Sequence, residues 1–101
     1  MVTMEELTHF VFYDIEVDRI RNRVAEICKD YGLERIQFSG FSGKLGRNKR
    51  EELFLKITHA IYEGYGKVLI LPLCEKDLRE TKEFVQEKEE KDVRVDTAEG
   101  K

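Results

Sequence analysis

Apolar side chains recur along this chain at two periods, and the changes of period mark out its elements. Phe10-Val11-Phe12-Tyr13-Asp14 is a run of strand formers that stops at the carboxylate. Residues 10, 12 and 14 share one face of such a strand and 11 and 13 the other, so large apolar groups stand on both faces. That pattern predicts a central strand covered on both sides. From residue 18 the period becomes helical. Ile20, Val24, Ile27, Cys28 and Tyr31 fall on one face of a helix over 18–31. Asp18 is placed as its N-cap, Gly32 as the left-handed residue past its end, and Leu33 as the residue folding back over Cys28.

Between Arg35 and Leu45, Ile36 and Phe38 alternate with Gln37 and Ser39, and Gly40 and Gly43 interrupt the alternation. This predicts two strands or one long bent strand. Gly46-Arg47-Asn48 reads as a loop, and Asn48 with Glu51 as the capping pair of a second helix. Leu53, Ile57, Ala60 and Ile61 form that helix's core stripe, with Phe54 beside it, and Gly64-Tyr65-Gly66 ends it. Val68-Leu69-Ile70-Leu71 is a fully apolar strand closed by Pro72.

The order strand, helix, strand, strand, helix, strand predicts an α+β, ferredoxin-like βαββαβ fold. Two helices then cover one face of a four-stranded antiparallel sheet. The other face keeps its Phe and Ile groups, which implies a partner there. Beyond Glu75 two patterns compete. Glu75 to Lys91 has helix propensity, whereas Thr81 to Gln86, around Phe84 and Val85, and Val93-Arg94-Val95 alternate as strands do. The last residues are expected to be disordered. The domain is placed over 8–86, with an N-terminal extension over 1–7 and a charged tail over 87–101.

Composition narrows the class. A chain of 101 residues, 41% apolar, is sized for one domain, and at that length a dimer helps stability. No stretch approaches the ~20 apolar residues of a membrane span, and Met1 to Glu6 is acidic with no apolar h-region, so the expected location is the cytoplasm with no membrane contact. Cys28 and Cys74 form no Cys-x-x-Cys pair and are read as reduced core residues. A charged fraction of 39%, against a norm of ~25%, suits a thermophilic source. The net charge of −3 hides an asymmetry: residues 1–18 carry five acids and no Lys or Arg, while residues 19–50 carry nine bases against Glu26, Asp30 and Glu34. A basic middle third predicts an anion-binding surface, the alternative being an ordinary solvated helix face. Arg19 and Arg23, four residues apart, share a face, and Arg21 points elsewhere.

Several chemistries are excluded by what is missing. There is neither a Gly-x-x-x-x-Gly-Lys-Ser/Thr loop nor a Gly-x-Gly-x-x-Gly turn. His9 and His59 have no evident catalytic partner, and Ser39 and Ser42 have no nearby base. Divalent-metal chemistry on phosphates remains. Mg²⁺ takes hard oxygen ligands and keeps several waters, so one or two carboxylates suffice when phosphates supply the rest. Asp14, supported by Asp18 or Glu16, is the carboxylate at the end of a rigid strand. Two copies across a two-fold axis would pair it with itself. The alternative is that Asp14 begins the next turn or caps the next helix.

Tyr13-Asp14-Ile15 followed by Asp18 and an arginine-studded helix, then Asp30-Tyr31-Gly32-Leu33, Arg35-Ile36-Gln37-Phe38-Ser39-Gly40-Phe41 and Val68-Leu69-Ile70-Leu71-Pro72-Leu73-Cys74, together resemble one family. It is Cas2, the second of the two universal CRISPR-associated spacer-acquisition proteins. The likeness runs from about His9 to about Gln86. It implies a ferredoxin-like homodimer whose extra C-terminal strand, near Thr81 to Gln86, crosses to the partner's sheet. It implies a metal-dependent endoribonuclease or double-strand DNase, or the central dimer between integrase dimers when spacers are inserted. By the same resemblance Asp14 matches the Mg²⁺ ligand shared between protomers (Mn²⁺ being an alternative metal), and Arg19, Arg21, Arg23 and Arg35 match phosphate-side positions. Lys44, Arg47, Lys49 and Arg50 complete the basic set expected to meet nucleic acid. The family usually has Ser-Val-Phe-Glu where this chain has Ser39-Gly40-Phe41-Ser42, so an acidic group is lost and Gly40 is expected to loosen the strand.

Three readings follow. The first is a Mg²⁺-dependent endonuclease with paired Asp14 residues. The second is a non-catalytic DNA-binding scaffold for an integrase partner. The third is a small-molecule regulatory domain of the same fold, which the charge asymmetry and the motif order argue against.

Overall fold

The computed structural model of the chain describes residues 6–62 and 64–87. Met1 to Glu5 of the extension expected over 1–7, the strand at Val93-Arg94-Val95 and the disordered last residues lie outside that range, whereas Leu7 opens the first strand. The elements are β1 (Leu7–Ile15), α1 (Asp18–Asp30), β2 (Glu34–Gln37), β3 (Gly40–Leu45), α2 (Arg47–Ile61), β4 (Gly66–Leu73) and α3 (Glu75–Glu80). The strands form one antiparallel sheet in the order β2-β3-β1-β4. This is the expected α+β, ferredoxin-like arrangement, and the strand carrying Asp14 is indeed central.

The period-2 pattern of β1 decides where the core lies. Val11, Tyr13 and Ile15 are buried on one face, against Ile20, Val24, Ile27 and Cys28 of α1 and Leu53, Ile57 and Ile61 of α2. Phe41 of β3 is fully buried among them, its ring stacked on that of Tyr13 at 6.3 Å. Phe10 and Phe12 face the other way and are only half-buried. Cover on both sides of β1 is therefore corrected: both helices lie on one face, and the described residues supply no third layer for the other.

Helix α1 ends as its sequence predicts. Gly32 has φ +83, its N–H donates to Lys29 O at 2.9 Å, and the Leu33 N–H donates to Cys28 O at 3.2 Å. This is the paired closure of a Schellman motif. Both predicted N-caps are corrected. Val17 precedes α1 with extended backbone and no side-chain cap, because Asp18 is already helical and pairs with Arg21 instead. Helix α2 begins at Arg47 after Gly46, so Arg47 and Asn48 are its first residues rather than a loop, and Asn48 does not cap it.

Phe38 also departs from its expected strand alternation. A bulge between Arg35 and Gln37 shifts the register of the β2–β3 hairpin, and Phe38 and Ser39 form its turn. Cys28 is buried as expected, but Cys74 is exposed. It lies past the end of β4, where its Sγ accepts a long hydrogen bond (3.5 Å) from the Asp77 N–H at the start of α3. Of the two patterns competing beyond Glu75, the helical one holds over Glu75–Glu80, and residues 81–87 form neither helix nor strand within the chain.

Candidate functional site

Asp14 is the penultimate residue of β1 and is exposed. It is no helix cap, since α1 starts four residues later. By strand alternation its side chain shares the open face with Phe10 and Phe12. Lys67 of β4 is opposite it in register. On the other flank the Tyr13 N–H donates to Ser39 O at 3.1 Å, which brings the β2–β3 turn alongside the end of β1. The β4 ladder on one side and this turn contact on the other thus fix the backbone that carries the carboxylate.

A Mg²⁺ fit can be tested on the donor set. Among the described residues no group of three or more His, Cys, Asp or Glu side chains is placed to hold a metal ion. Glu16 and Asp18 follow β1 in the chain, and Asp18 is engaged by Arg21. One chain therefore offers Asp14 as a lone carboxylate, a donor set that suits only a water-rich ion such as Mg²⁺ that also takes phosphate oxygens and is too little for a self-contained protein cage.

The predicted cations do not form one surface. Arg21 reaches the Asp14 end of the sheet: it donates to Ile15 O at 3.0 Å, pairs with Asp18, and lies over the Phe38 ring at 5.3 Å. Arg35 is exposed and lies over the Phe41 ring at 5.1 Å. Arg19 and Arg23 turn away, into a cleft of about 540 Å³ between α1 and α2 that they line with Asn22, Glu26 and His59. The expectation that Arg21 points away from this pair holds. Lys44 and Lys49 line an adjoining cleft of about 400 Å³ with Tyr31, Glu52 and Lys56. Arg47, Lys49 and Arg50 occupy the first turn of α2, which has no acidic residue. A helix N-terminus disfavours cations there, but Lys49 pairs with Glu52 at 3.5 Å and Arg50 with Glu51 at 3.1 Å, which offsets part of that cost.

Sequence reasoning missed two features. Tyr13, Cys28 and Arg35 are neighbours: burial raises the Tyr13 phenol, an effect partly offset by the Arg35 guanidinium, and pushes the Cys28 thiol up to about 12. Both groups stay protonated at neutral pH, which makes them packing groups rather than nucleophiles. The exposed rings of Phe38, Tyr62 and Tyr65 also went unread. The signal lay in the turn residues around them, Ser39 after Phe38 and the glycines on either side of Tyr65.

No helix among the described residues is long and apolar enough to cross a membrane. Comparison with known proteins gives a consistent result. The profile of the family described as "CRISPR associated protein Cas2" matches residues 7–81. The chain is 51% identical over 72 residues to the CRISPR-associated endoribonuclease Cas2 of Desulforudis audaxviator, covering 71% of this chain and 68% of that protein. A crystal structure of Cas2 superposes with a TM-score of 0.67 at 26% identity, covering 92% of this chain and all of the other. A chain in a partial Cas6-RT-Cas1--Cas2 complex superposes with a TM-score of 0.66, over 78% of this chain and 84% of its own. At 16% identity that likeness concerns the fold alone.

Proposed function

This chain belongs to the CRISPR-associated Cas2 family, and on that premise we propose that it works in spacer acquisition as a homodimeric, metal-dependent endonuclease of RNA or duplex DNA. The observation that carries this reading is Asp14. It is an exposed carboxylate on a rigid central strand, and it shares the uncovered apolar face with Phe10 and Phe12. A second copy laid on that face by a two-fold axis would bring two Asp14 residues towards each other. Those two carboxylates would hold Mg²⁺, or Mn²⁺ in its place. The metal, when bound, supplies an activated water and neutralises charge on the phosphodiester. The chain's own contribution is to fix Asp14 on the β4 ladder, beside the β2–β3 turn, and to keep Arg21 and Lys67 nearby for phosphate oxygens.

The domain over 7–86 is proposed to include a tail strand at Thr81 to Gln86 that crosses to the partner. In support, Thr81, Lys82 and Glu83 border a cleft of about 240 Å³ on the open face with Phe10, Phe12 and Ile36, while Phe84 and Val85 stay exposed. Residues 1–6 and 87–101 remain extension and charged tail in this proposal. A cytoplasmic location belongs to it as well.

The second reading is a non-catalytic scaffold that holds duplex DNA for an integrase partner. Two observations favour it: among the described residues no group of three or more potential ligands gathers at Asp14, and Arg19, Arg23, Lys44 and Lys49 line clefts on the helical side rather than beside it. In this reading the partner is the family's other acquisition protein, the one named beside Cas2 in the complex whose chain shares this fold. Either reading predicts that log affinity for duplex falls with log salt by about 0.9 per phosphate contacted.

Labelled RNA and duplex DNA, incubated with Mg²⁺, Mn²⁺ or EDTA and with wild type or Asp14→Asn, separate the two readings. The nuclease reading expects metal-dependent cleavage that vanishes in the variant while binding is kept. Cleavage retained by Asp14→Asn, or absent from wild type, leaves the scaffold.

A further inference from the structure

Large aromatic side chains stand in solvent around the Asp14 end of the sheet, and neither the core nor the proposed reaction uses them. Phe38 is 72% exposed and Tyr65 90%. Phe38 precedes Ser39, whose carbonyl accepts from the Tyr13 N–H, so it stands beside Asp14 on the β3 flank. The Arg21 guanidinium covers one side of its ring at 5.3 Å from the centroid. Tyr65 is on the other flank, one residue before Gly66, which pairs with Ile15, and two before Lys67, which pairs with Asp14. Two strand spacings, roughly 10 Å, separate the flanks.

The surroundings indicate what these rings would meet. The apolar groups of the open face, Phe10, Phe12, Leu69 and Leu71, are mutual neighbours across β1 and β4, as a protein interface requires. Phe38 instead has Arg21, Asp14 and Ser39 around it. A single ring beside a cation, with one face free, suits an unpaired nucleobase: the base stacks on the ring and its phosphate meets the cation. A long duplex keeps its bases stacked inside and offers such a ring only its two terminal pairs.

We propose that Phe38, backed by Arg21 and joined by Tyr65 on the opposite flank, is a stacking platform for unpaired bases beside Asp14. The strand offered to that carboxylate is then single-stranded or locally opened RNA or DNA. This deepens the nuclease reading and rests on it for the role of Asp14.

The chain contains no tryptophan, so Phe38→Trp in the full chain introduces a single reporter. Short oligouridine and oligodeoxythymidine are expected to quench its emission saturably, with a midpoint matching their binding by anisotropy, and a long blunt duplex at equal base concentration, whose stackable ends are few, is expected not to. A preference for one oligomer identifies RNA or DNA as the source. Phe38→Ala is expected to weaken single-strand binding about ten- to a hundred-fold, with the melting temperature unchanged because the ring is exposed. Equal quenching by blunt duplex, or unchanged affinity in Phe38→Ala, overturns the platform. So does conversion of Phe38→Ala to a monomer in light scattering, which would make the ring a contact between copies. The quenching needs neither metal nor cleavage and is repeated in an Asp14→Asn background, so the platform and the nuclease reading fail separately.

Discussion

The two faces of the sheet are built from the same kinds of residue and end in opposite states. On one, Val11, Tyr13, Ile15 and Phe41 lie under two helices and are at most 5% exposed. On the other, Phe10 and Phe12 touch edge to face at 5.9 Å, and Leu69 and Leu71, their partners across β4, remain 54% and 39% exposed. Alternation along β1 and β4 supplied both faces with apolar groups. Among the described residues, covering helices lie on only one. The first face is therefore a matter of folding and the second a matter of association, and substitutions on them should fail in different assays.

The largest effect separates them directly. Phe41→Ala is expected to lower unfolding stability by about 3–5 kcal/mol, read as a shift of the urea midpoint, because a fully buried ring leaves a cavity. Leu69→Glu on the open face should leave the secondary structure intact and convert the proposed dimer to a monomer in light scattering, since an unpaired charge at a buried contact is costly. An unchanged dimer would break the comparison.

A smaller effect tests how the open face packs upon itself. Gly40 pairs with Phe12, and a Cβ there would stand 2.9 Å from two carbons of the Phe12 ring. Gly40 does not simply loosen the strand; the neighbouring ring covers it. Gly40→Val should cost about 1–3 kcal/mol, and adding Phe12→Leu should restore part of that loss in a double-mutant cycle.

The smallest effects at neutral pH come from the two thiols. Burial holds Cys28 up to about 12, while an unfolded thiol titrates near ~8.5. Between those values the unfolded chain loses a proton that the folded chain keeps, so stability present at neutral pH declines as pH rises through that window. The raised Tyr13 phenol acts in the same direction. Melting temperatures from neutral to alkaline pH should fall less steeply in Cys28→Ala than in wild type. In a thiol-labelling assay on the native protein, exposed Cys74 should react and Cys28 should not until denaturant is added.

Much of this was legible in the sequence, for reasons that differ by element. The switch from period 2 at Phe10–Tyr13 to helical spacing at Ile20–Tyr31 placed β1 and α1, and Gly32 with Leu33 placed the end of α1, because local chemistry decides each of these. The caps misled: Asp18 is a good cap by type, but Arg21, three residues further along, drew it into a side-chain pair. Phe38 misled because a bulge one turn earlier moved it out of the strand, and a bulge depends on pairing that the sequence alone does not display. Asp14 was legible as the polar end of an apolar strand. The separation of Arg19 and Arg23 from Asp14 was not, since it depends on which face of α1 meets α2.

The position of β1 also dictates an order of synthesis. Its ladder with β3 is complete once Leu45 is available, but its other edge waits for β4, which ends at Leu73. At roughly 5–20 residues per second, a ribosome leaves that central edge bare for about 1–6 s. For that interval the strand carrying Asp14 is the most adhesive part of the nascent chain, open to any extended segment that reaches it before its own β4 does.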